Sequence, residues 1–254
     1  MNMNALFDKI KISKIILIYI CAIVFTFIIL RISFFKNIYA NDKFFAEIIL
    51  NTLVLAWFIY VFYKEELFNN KKFIYEIKKI NYKKIAHLYF LNIGMYIGLG
   101  LCFFVGDKSL IRVPSALYVI FGITLAPVVE ELIFRGVILN RLKLKFSSIS
   151  SVFVSAIIFG IVHMDLNILG RIIFGILCAI MYLQTKSIMN CMVFHALNNA
   201  SLFILPIVSK YTHFTIKFEG QTETSVIILI IFICFAISIL LDIIYIKNNL
   251  LRKN

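Results

Sequence analysis

Residues 127–136 read Pro-Val-Val-Glu-Glu-Leu-Ile-Phe-Arg-Gly, and they place charged side chains inside a stretch that is otherwise apolar. The charged residues are Glu130, Glu131 and Arg135. An ionisable side chain at membrane depth costs several kcal/mol unless it is paired or hydrated, so such residues are usually functional. This stretch therefore predicts a functional site inside a transmembrane helix.

The composition predicts an integral membrane protein. Of the 254 residues, 62% are hydrophobic and 15% are charged, whereas soluble domains are about 25% charged. A net charge of +13 would suggest nucleic-acid binding in a soluble protein, but here the Lys and Arg residues lie mainly between apolar runs, where they set topology. We therefore predict a lipid bilayer as the environment and no nucleic-acid partner.

The apolar runs predict an all-α, polytopic transmembrane helix bundle of about eight spans, because about 20 apolar residues cross the hydrocarbon core. Lys and Arg are more frequent in the loops that share a side with the N-terminus, so both termini are predicted to be cytoplasmic. The bias towards Lys, Ile, Asn and Phe predicts a bacterial cell membrane. The eight predicted spans lie near residues 13–35, 44–63, 85–105, 114–140, 148–164, 168–184, 187–208 and 225–246.

Residues 64–84 are rich in Lys and form a basic loop between the second and third spans. Phe73, Ile77 and Ile80 recur at helical spacing, which indicates a helix on the anionic inner leaflet. A solvated basic loop explains the same composition. In the third span, Gly94 and Gly98 have the G-x-x-x-G spacing that lets two helices pack closely.

The two acids of the fourth span have different predicted neighbours. Glu131 and Arg135 are one helical turn apart with the acid first, which favours an ion pair. Glu130 lies about 100° round the helix, so it faces elsewhere. Pro127 is expected to kink the helix just before the acids. A buried Glu–Arg clasp that only staples helices would account for Glu131 and Arg135 but not for Glu130.

The fifth and seventh spans each carry a polar stripe at i+4 spacing, which puts its members on one helix face. A single His on such a face is commonly a satisfied core residue. Polar groups inside the membrane must nevertheless be partnered by each other, by water or by a ligand. The stripes are Ser151, Ser155, Phe159 and His163 in the fifth span, and Cys191, His195 and Asn199 in the seventh.

Together the three spans offer Glu130, His163, His195 and Asn199 for chemistry. A carboxylate with two imidazoles can activate water as a general base, or hold Zn²⁺ with one position open to water. A His and an Asn one turn apart can donate hydrogen bonds to an oxyanion. Serine or cysteine nucleophiles are disfavoured because G-x-S-x-G is absent and nothing in the sequence activates Cys191. The zinc motif H-E-x-x-H is absent too.

Three motifs, in this order and on separate spans, resemble those of the CAAX protease and bacteriocin-processing family of intramembrane endopeptidases, also called CPBP or Abi. Its patterns are E-E-x-x-x-R, F-x-x-x-H and H-x-x-x-N. The resemblance covers roughly residues 115–205. The matching residues are Glu130-Glu131-Leu-Ile-Phe-Arg135-Gly136, Phe159-Gly-Ile-Val-His163 and His195-Ala-Leu-Asn-Asn199.

The resemblance implies a division of roles. Glu130 and His163 would activate the attacking water, and His195 with Asn199 would stabilise the oxyanion. Glu131 and Arg135 would be structural support. Members are described as metalloproteases, and a metal-free mechanism with a Glu-activated water is also proposed. Both remain open here, and the zinc candidates are Glu130, His163 and His195.

The resemblance also implies a substrate class and an organisation of the chain. The expected substrate is a membrane-associated peptide or protein, and oligomeric state is not predicted. The alternative is a non-catalytic bacteriocin immunity or peptide-binding membrane protein; a coupled transporter would show inverted repeats, which we do not detect. Three regions are expected: N-terminal transmembrane helices with the basic loop at 1–112, the catalytic helix core at 113–208, and an outer loop, last span and cytoplasmic tail at 209–254.

Overall fold

The computed structural model describes residues 3–66, 75–105, 111, 113–163, 167–212 and 221–251, and these residues are mostly helical with no strand among them. The predicted all-α class is therefore confirmed. The helices are α1 (Met3–Phe7), α2 (Ile12–Ile29), α3 (Ser33–Asn41), α4 (Phe45–Lys64), α5 (Tyr82–Leu91), α6 (Ile93–Val105), α7 (Ala116–Ile123), α8 (Leu125–Glu131), a π-helical segment (Leu132–Leu139), α9 (Asn140–Lys143), α10 (Ser148–Val162), α11 (Ile168–Thr185), α12 (Ile188–Tyr211) and α13 (Gln221–Ile246), followed by a π-helical turn (Lys247–Leu251).

Helix starts follow local chemistry in the sequence. Ser115 accepts the backbone N–H of Tyr118 at 3.2 Å and caps α7. Ser147 caps α10 in the same way, through a 3.1 Å bond from the N–H of Ser150. A hydroxyl at this position satisfies one of the backbone donors that a helix leaves free. These two apolar runs therefore become helical directly after the serine that caps each of them.

Eight apolar helical segments correspond to the eight predicted spans, but not all are long enough to cross a membrane. Six helices in the described ranges pass that test, or seven if the bent pair α5 and α6 counts as one span. The exception is Ser148–Val162, which has 15 residues. At about 1.5 Å per residue it falls short of the roughly 30 Å hydrocarbon core. Where the predicted count is about eight, six or seven helices of the described ranges are long and apolar enough to span a membrane.

Small residues bring the helices together. A Cβ added at Gly94 would lie 2.6 Å from the Cys234 carbonyl oxygen, and one at Gly98 would lie 3.1 Å from the Phe235 ring, so α6 packs directly on α13. The predicted packing role of the G-x-x-x-G pair is confirmed. Gly175 of α11 approaches α10 in the same way.

The fourth predicted span is the buried centre of the bundle, and it is not one regular helix. It breaks at Thr124, three residues before Pro127, and becomes π-helical after Glu131. Pro127 has no N–H for the carbonyl four residues earlier, which explains why the break falls upstream of the ring. Every residue of the π-helical segment is buried. π-helical turns inside α-helices are frequent at functional sites.

The basic loop of 64–84 is only partly described. Residues 67–74, including Phe73, lie outside the described residues, so the predicted leaflet helix stays a prediction. Ile77 is exposed, and Asn81 caps α5 through a 3.0 Å bond from the Lys84 N–H.

Candidate active site

Glu131 is the centre of a fully buried polar network. Its Oε1 accepts a hydrogen bond from Arg135 Nη1 at 2.9 Å and another from His195 Nδ1 at 2.8 Å. Arg135 also donates through Nη2 to the Gly175 carbonyl at 3.2 Å. Glu131 and Arg135 are 0% and 1% exposed. The predicted clasp within one helix is present, and it extends to α11 and α12.

The π-helical segment has its own support. The Asn140 side chain donates to the carbonyls of Gly136 and Arg135 at 2.7 and 3.2 Å, and it lies 2.7 Å from the Tyr182 hydroxyl. A π-turn lacks the regular i→i−4 hydrogen bonds, so some backbone carbonyls need other donors. The Asn140 amide supplies these donors. Sequence reasoning missed Asn140. The signal was an Asn at the C-terminal end of an apolar span, where a buried amide needs partners.

Glu130 faces the two histidines on the other side of the helix. Its Oε2 lies 3.4 Å from His163 Nε2 and 3.8 Å from His195 Nε2. The Glu130 and His163 side chains are 24% and 19% exposed, whereas the Oε2 atom of Glu130 is itself buried. The structure therefore brings together three of the four predicted site residues, from α8, from the end of α10 and from α12.

The tautomers of both histidines follow from their second nitrogens. His163 Nδ1 lies 2.7 Å from the Phe159 carbonyl, which can only accept, so this nitrogen carries the proton. His195 Nδ1 donates to the Glu131 carboxylate in the same way. In the neutral rings both Nε2 atoms are then acceptors. Three acceptor atoms thus converge, with the Glu130 oxygen between them.

Phe159 shapes the apolar wall behind these groups. Its ring lies 4.6 Å from Arg135 Cζ, 4.6 Å from the His163 ring and 6.1 Å from the His195 ring. Arg over an aromatic face is a favourable cation–π arrangement.

Asn199 is positioned by a backbone contact. Its Nδ2 donates to the Gly122 carbonyl at 2.7 Å, next to the helix break at Thr124. His195 and Asn199 both lie on α12, one turn apart as the spacing predicts. No described contact joins Asn199 to Glu130, so its predicted oxyanion role stays a prediction.

Several polar atoms of the site are buried without a hydrogen-bond partner within the described ranges. They are Oε2 of Glu130, Oε2 of Glu131 and Nε of Arg135. Most buried polar atoms in proteins have a partner, so such an atom marks a place for water or ligand. On Glu130 this atom is the one that faces the imidazoles.

A carboxylate and two imidazoles are donors that Zn²⁺ accepts. In the part of the chain that the structure describes, however, no group of three or more His, Cys, Asp or Glu side chains is arranged to hold a metal ion. Glu130, His163 and His195 as placed do not form such a set. Zinc binding there stays a prediction of the family resemblance.

Cys191 is fully buried and donates its thiol to the Cys178 carbonyl at 3.2 Å. Cys191 lies on the same helix face as His195. No described contact joins it to Glu130.

Comparison with known families gives a match over the segment that contains the site. Residues 112–201 match the family model described as Rce1-like, type II CAAX prenyl endopeptidase. This segment is Rce1-like. The Rce1-like segment holds all three motifs, and the predicted resemblance is confirmed over it. Comparisons with the curated proteins and with the solved structures found no significant match.

Proposed function

We propose that the protein is an intramembrane endopeptidase that hydrolyses a peptide bond of a membrane-associated peptide or protein. One observation carries the proposal. The Glu130 Oε2 atom, buried without a hydrogen-bond partner among the described residues, faces the Nε2 atoms of His163 and His195, whose Nδ1 atoms are engaged elsewhere. Convergent acceptors of this kind bind a water molecule through its hydrogens and can remove one of them.

The proposed first step is proton abstraction by Glu130 from a water bound beside Glu130 and His163. Glu130 takes the proton while the water oxygen attacks the carbonyl carbon of the scissile bond. Addition forms a tetrahedral intermediate with its negative charge on the former carbonyl oxygen. Glu130 then returns the proton to the amine, the C–N bond breaks, and a carboxyl and an amine end are released.

The oxyanion of that intermediate requires donors. Asn199 Nδ2 uses one N–H on the Gly122 carbonyl, and its second N–H is the donor we assign to the oxyanion. His195 becomes a second donor when its ring carries two protons, because Nε2 then bears one. Glu131 holds the Nδ1 proton and fixes the ring, and Arg135 balances the charge of Glu131.

The proposal is tested with the full chain in lipid nanodiscs. The probes are a quenched fluorescent peptide with a farnesylated CAAX end, the same peptide without the lipid, and a peptide extract of the host membrane analysed by mass spectrometry. Wild-type protein should convert at least one probe. E130Q and H195A, confirmed to insert, should leave it uncleaved. Full processing by both variants would refute the mechanism.

The rival class, a non-catalytic bacteriocin immunity or peptide-binding protein, gives a different result in cells. Protection against a membrane-active peptide would then survive E130Q, whereas protection by proteolysis would be lost. Metal dependence is measured separately. Elemental analysis before and after chelation, alongside activity, supports zinc at Glu130, His163 and His195 only if metal and activity disappear together and each of these side chains is needed for metal retention.

A further inference from the structure

The Asn199 amide is held by a chain of side chains that begins outside the Rce1-like segment. Tyr96 of α6 donates its hydroxyl to Asn198 Oδ1 at 2.8 Å, and Asn198 Nδ2 lies 3.5 Å from Asn199 Oδ1. Asn199 Nδ2 in turn donates to the Gly122 carbonyl. Tyr96 and Asn198 are both buried, at 7% and 8% exposure. Three helices, α6, α12 and α7, are thereby connected.

The donors and acceptors of this chain have one consistent direction. The Gly122 carbonyl can only accept, so Asn199 must turn its Nδ2 towards it and its Oδ1 towards Asn198. Asn198 must then present Nδ2 to Asn199 and Oδ1 to Tyr96, which donates. Amide orientations are assigned from networks of this kind. The Tyr96 hydroxyl therefore favours the orientation in which Asn199 offers N–H groups rather than its oxygen.

The bent helix pair makes this contact possible. α5 and α6 meet at an angle of 50° around Asn92, and each sends a tyrosine hydroxyl to α12. Tyr96 binds Asn198, and Tyr89 binds Ser201 with an oxygen–oxygen distance of 2.6 Å. The two rings lie 5.0 Å apart. No described hydrogen bond connects the Tyr89–Ser201 pair to a site residue. The Tyr96–Asn198 pair, by contrast, is connected to Asn199.

We propose that Tyr96 and Asn198 are positioning residues that orient the Asn199 amide as a donor towards the reaction centre. This proposal rests on the proposed peptidase function for its catalytic consequence. The orientation itself is a property of the folded protein. It assigns to the N-terminal helices a part in the chemistry, through a residue outside the matched segment.

The matched pair of variants is Y96F and Y89F. Each removes one tyrosine hydroxyl that binds α12, and each keeps its ring. Y96F should lower kcat about 3- to 10-fold, the value of one neutral hydrogen bond, with KM unchanged. Y89F should leave both constants unchanged. The two variants should have similar thermal unfolding, so equal losses of kcat would overturn the proposal.

A double-mutant cycle separates positioning from general damage. In an N199A background, Y96F should change kcat less than about 2-fold, because the amide that it orients is gone. N198D keeps an acceptor for Tyr96 but cannot donate to Asn199, so it should lower kcat at least as much as Y96F. Full additivity of Y96F and N199A contradicts the proposal.

A readout without substrate keeps the proposal independent of activity. Protein labelled with ¹⁵N-asparagine in nanodiscs shows side-chain amide resonances, and N198D and N199D identify those of Asn198 and Asn199. Y96F should shift both resonances and speed the hydrogen exchange of Asn199, whereas Y89F should shift neither. An unmoved Asn199 resonance in Y96F overturns this inference. If wild-type protein cleaves no probe, or if E130Q and H195A cleave it fully, the proposed function is overturned instead.

Discussion

Glu130 and Glu131 are neighbours in sequence, yet their environments are opposite. Glu131 is 0% exposed and binds both Arg135 and His195, whereas Glu130 is 24% exposed and its Oε2 has no described hydrogen-bond partner. We call the surroundings of Glu131 the supporting side of the site and those of Glu130 the reactive side. The difference shows how one helix supplies both a buried supporting carboxylate and a carboxylate that faces the two histidines, because adjacent positions lie about 100° apart.

The largest expected contrast comes from the same substitution at the two positions. E131Q leaves the Arg135 charge buried without its counterion, and this should cost about 3–5 kcal/mol of stability. E130Q should cost about 1 kcal/mol or less, but it should lower cleavage about 10²- to 10⁴-fold because the general base is lost. Unfolding in mixed detergent and cleavage by nanodisc protein measure the two effects.

The contrast also has a clear failure. If E130Q destabilises the protein as much as E131Q, then Glu130 belongs to the frame and the division into two sides is wrong. If E131Q keeps wild-type stability, the buried network contributes no net stabilisation.

R135K tests whether the fork of the guanidinium is needed on the supporting side. Arg135 uses two nitrogens, on Glu131 and on the Gly175 carbonyl, and Lys offers one. We expect a loss of about 1.5–3 kcal/mol, the value of a hydrogen bond to a charged group. R141K is the matched control, because Arg141 donates through one nitrogen to the Asp8 carbonyl at 2.6 Å. Equal losses would show that charge alone matters.

Much of this frame could be predicted from sequence because the signals are local. Apolar runs locate the helices, and i+4 spacing pairs Glu131 with Arg135. The separation of Glu130 from Glu131 follows from the turn angle alone. The convergence of Glu130, His163 and His195 was predicted by the family resemblance, since no local rule fixes distances between helices.

The contacts that were missed depend on packing between distant segments. The bond from His195 to Glu131 joins positions 64 apart, and the bond from Tyr96 to Asn198 joins positions 102 apart. The π-helical segment shifts the register of the fourth span without any change in hydropathy. The helix of the fifth span ends at Val162, two residues before its predicted end at 164, so its shortness was already visible in the short apolar run.

N140A tests whether the π-helical turn belongs to the supporting side. Its amide contacts the carbonyls of Arg135 and Gly136, and these groups would be left buried without it. The expected loss is about 1–3 kcal/mol. Y182F removes only the hydroxyl partner of Asn140 and should cost about 0.5–1.5 kcal/mol. A larger loss in Y182F than in N140A would show that the hydroxyl, rather than the π-turn, needs the contact.

The smallest expected effect is at Ser155, where α10 contacts the π-helical segment on the supporting side. Its hydroxyl donates to the Phe134 carbonyl at 3.3 Å, so S155A should cost about 0.6 kcal/mol, as hydrogen bonds between membrane helices do on average. S151A is the control, because Ser151 binds the Ser147 carbonyl at the start of its own helix at 2.8 Å, and no described hydrogen bond joins it to a second helix. Cleavage should be unchanged in both. A marked loss of cleavage in S155A, at unchanged stability, would mean that the position of Phe134 reaches the reactive side and that the two sides are coupled through the π-helical segment.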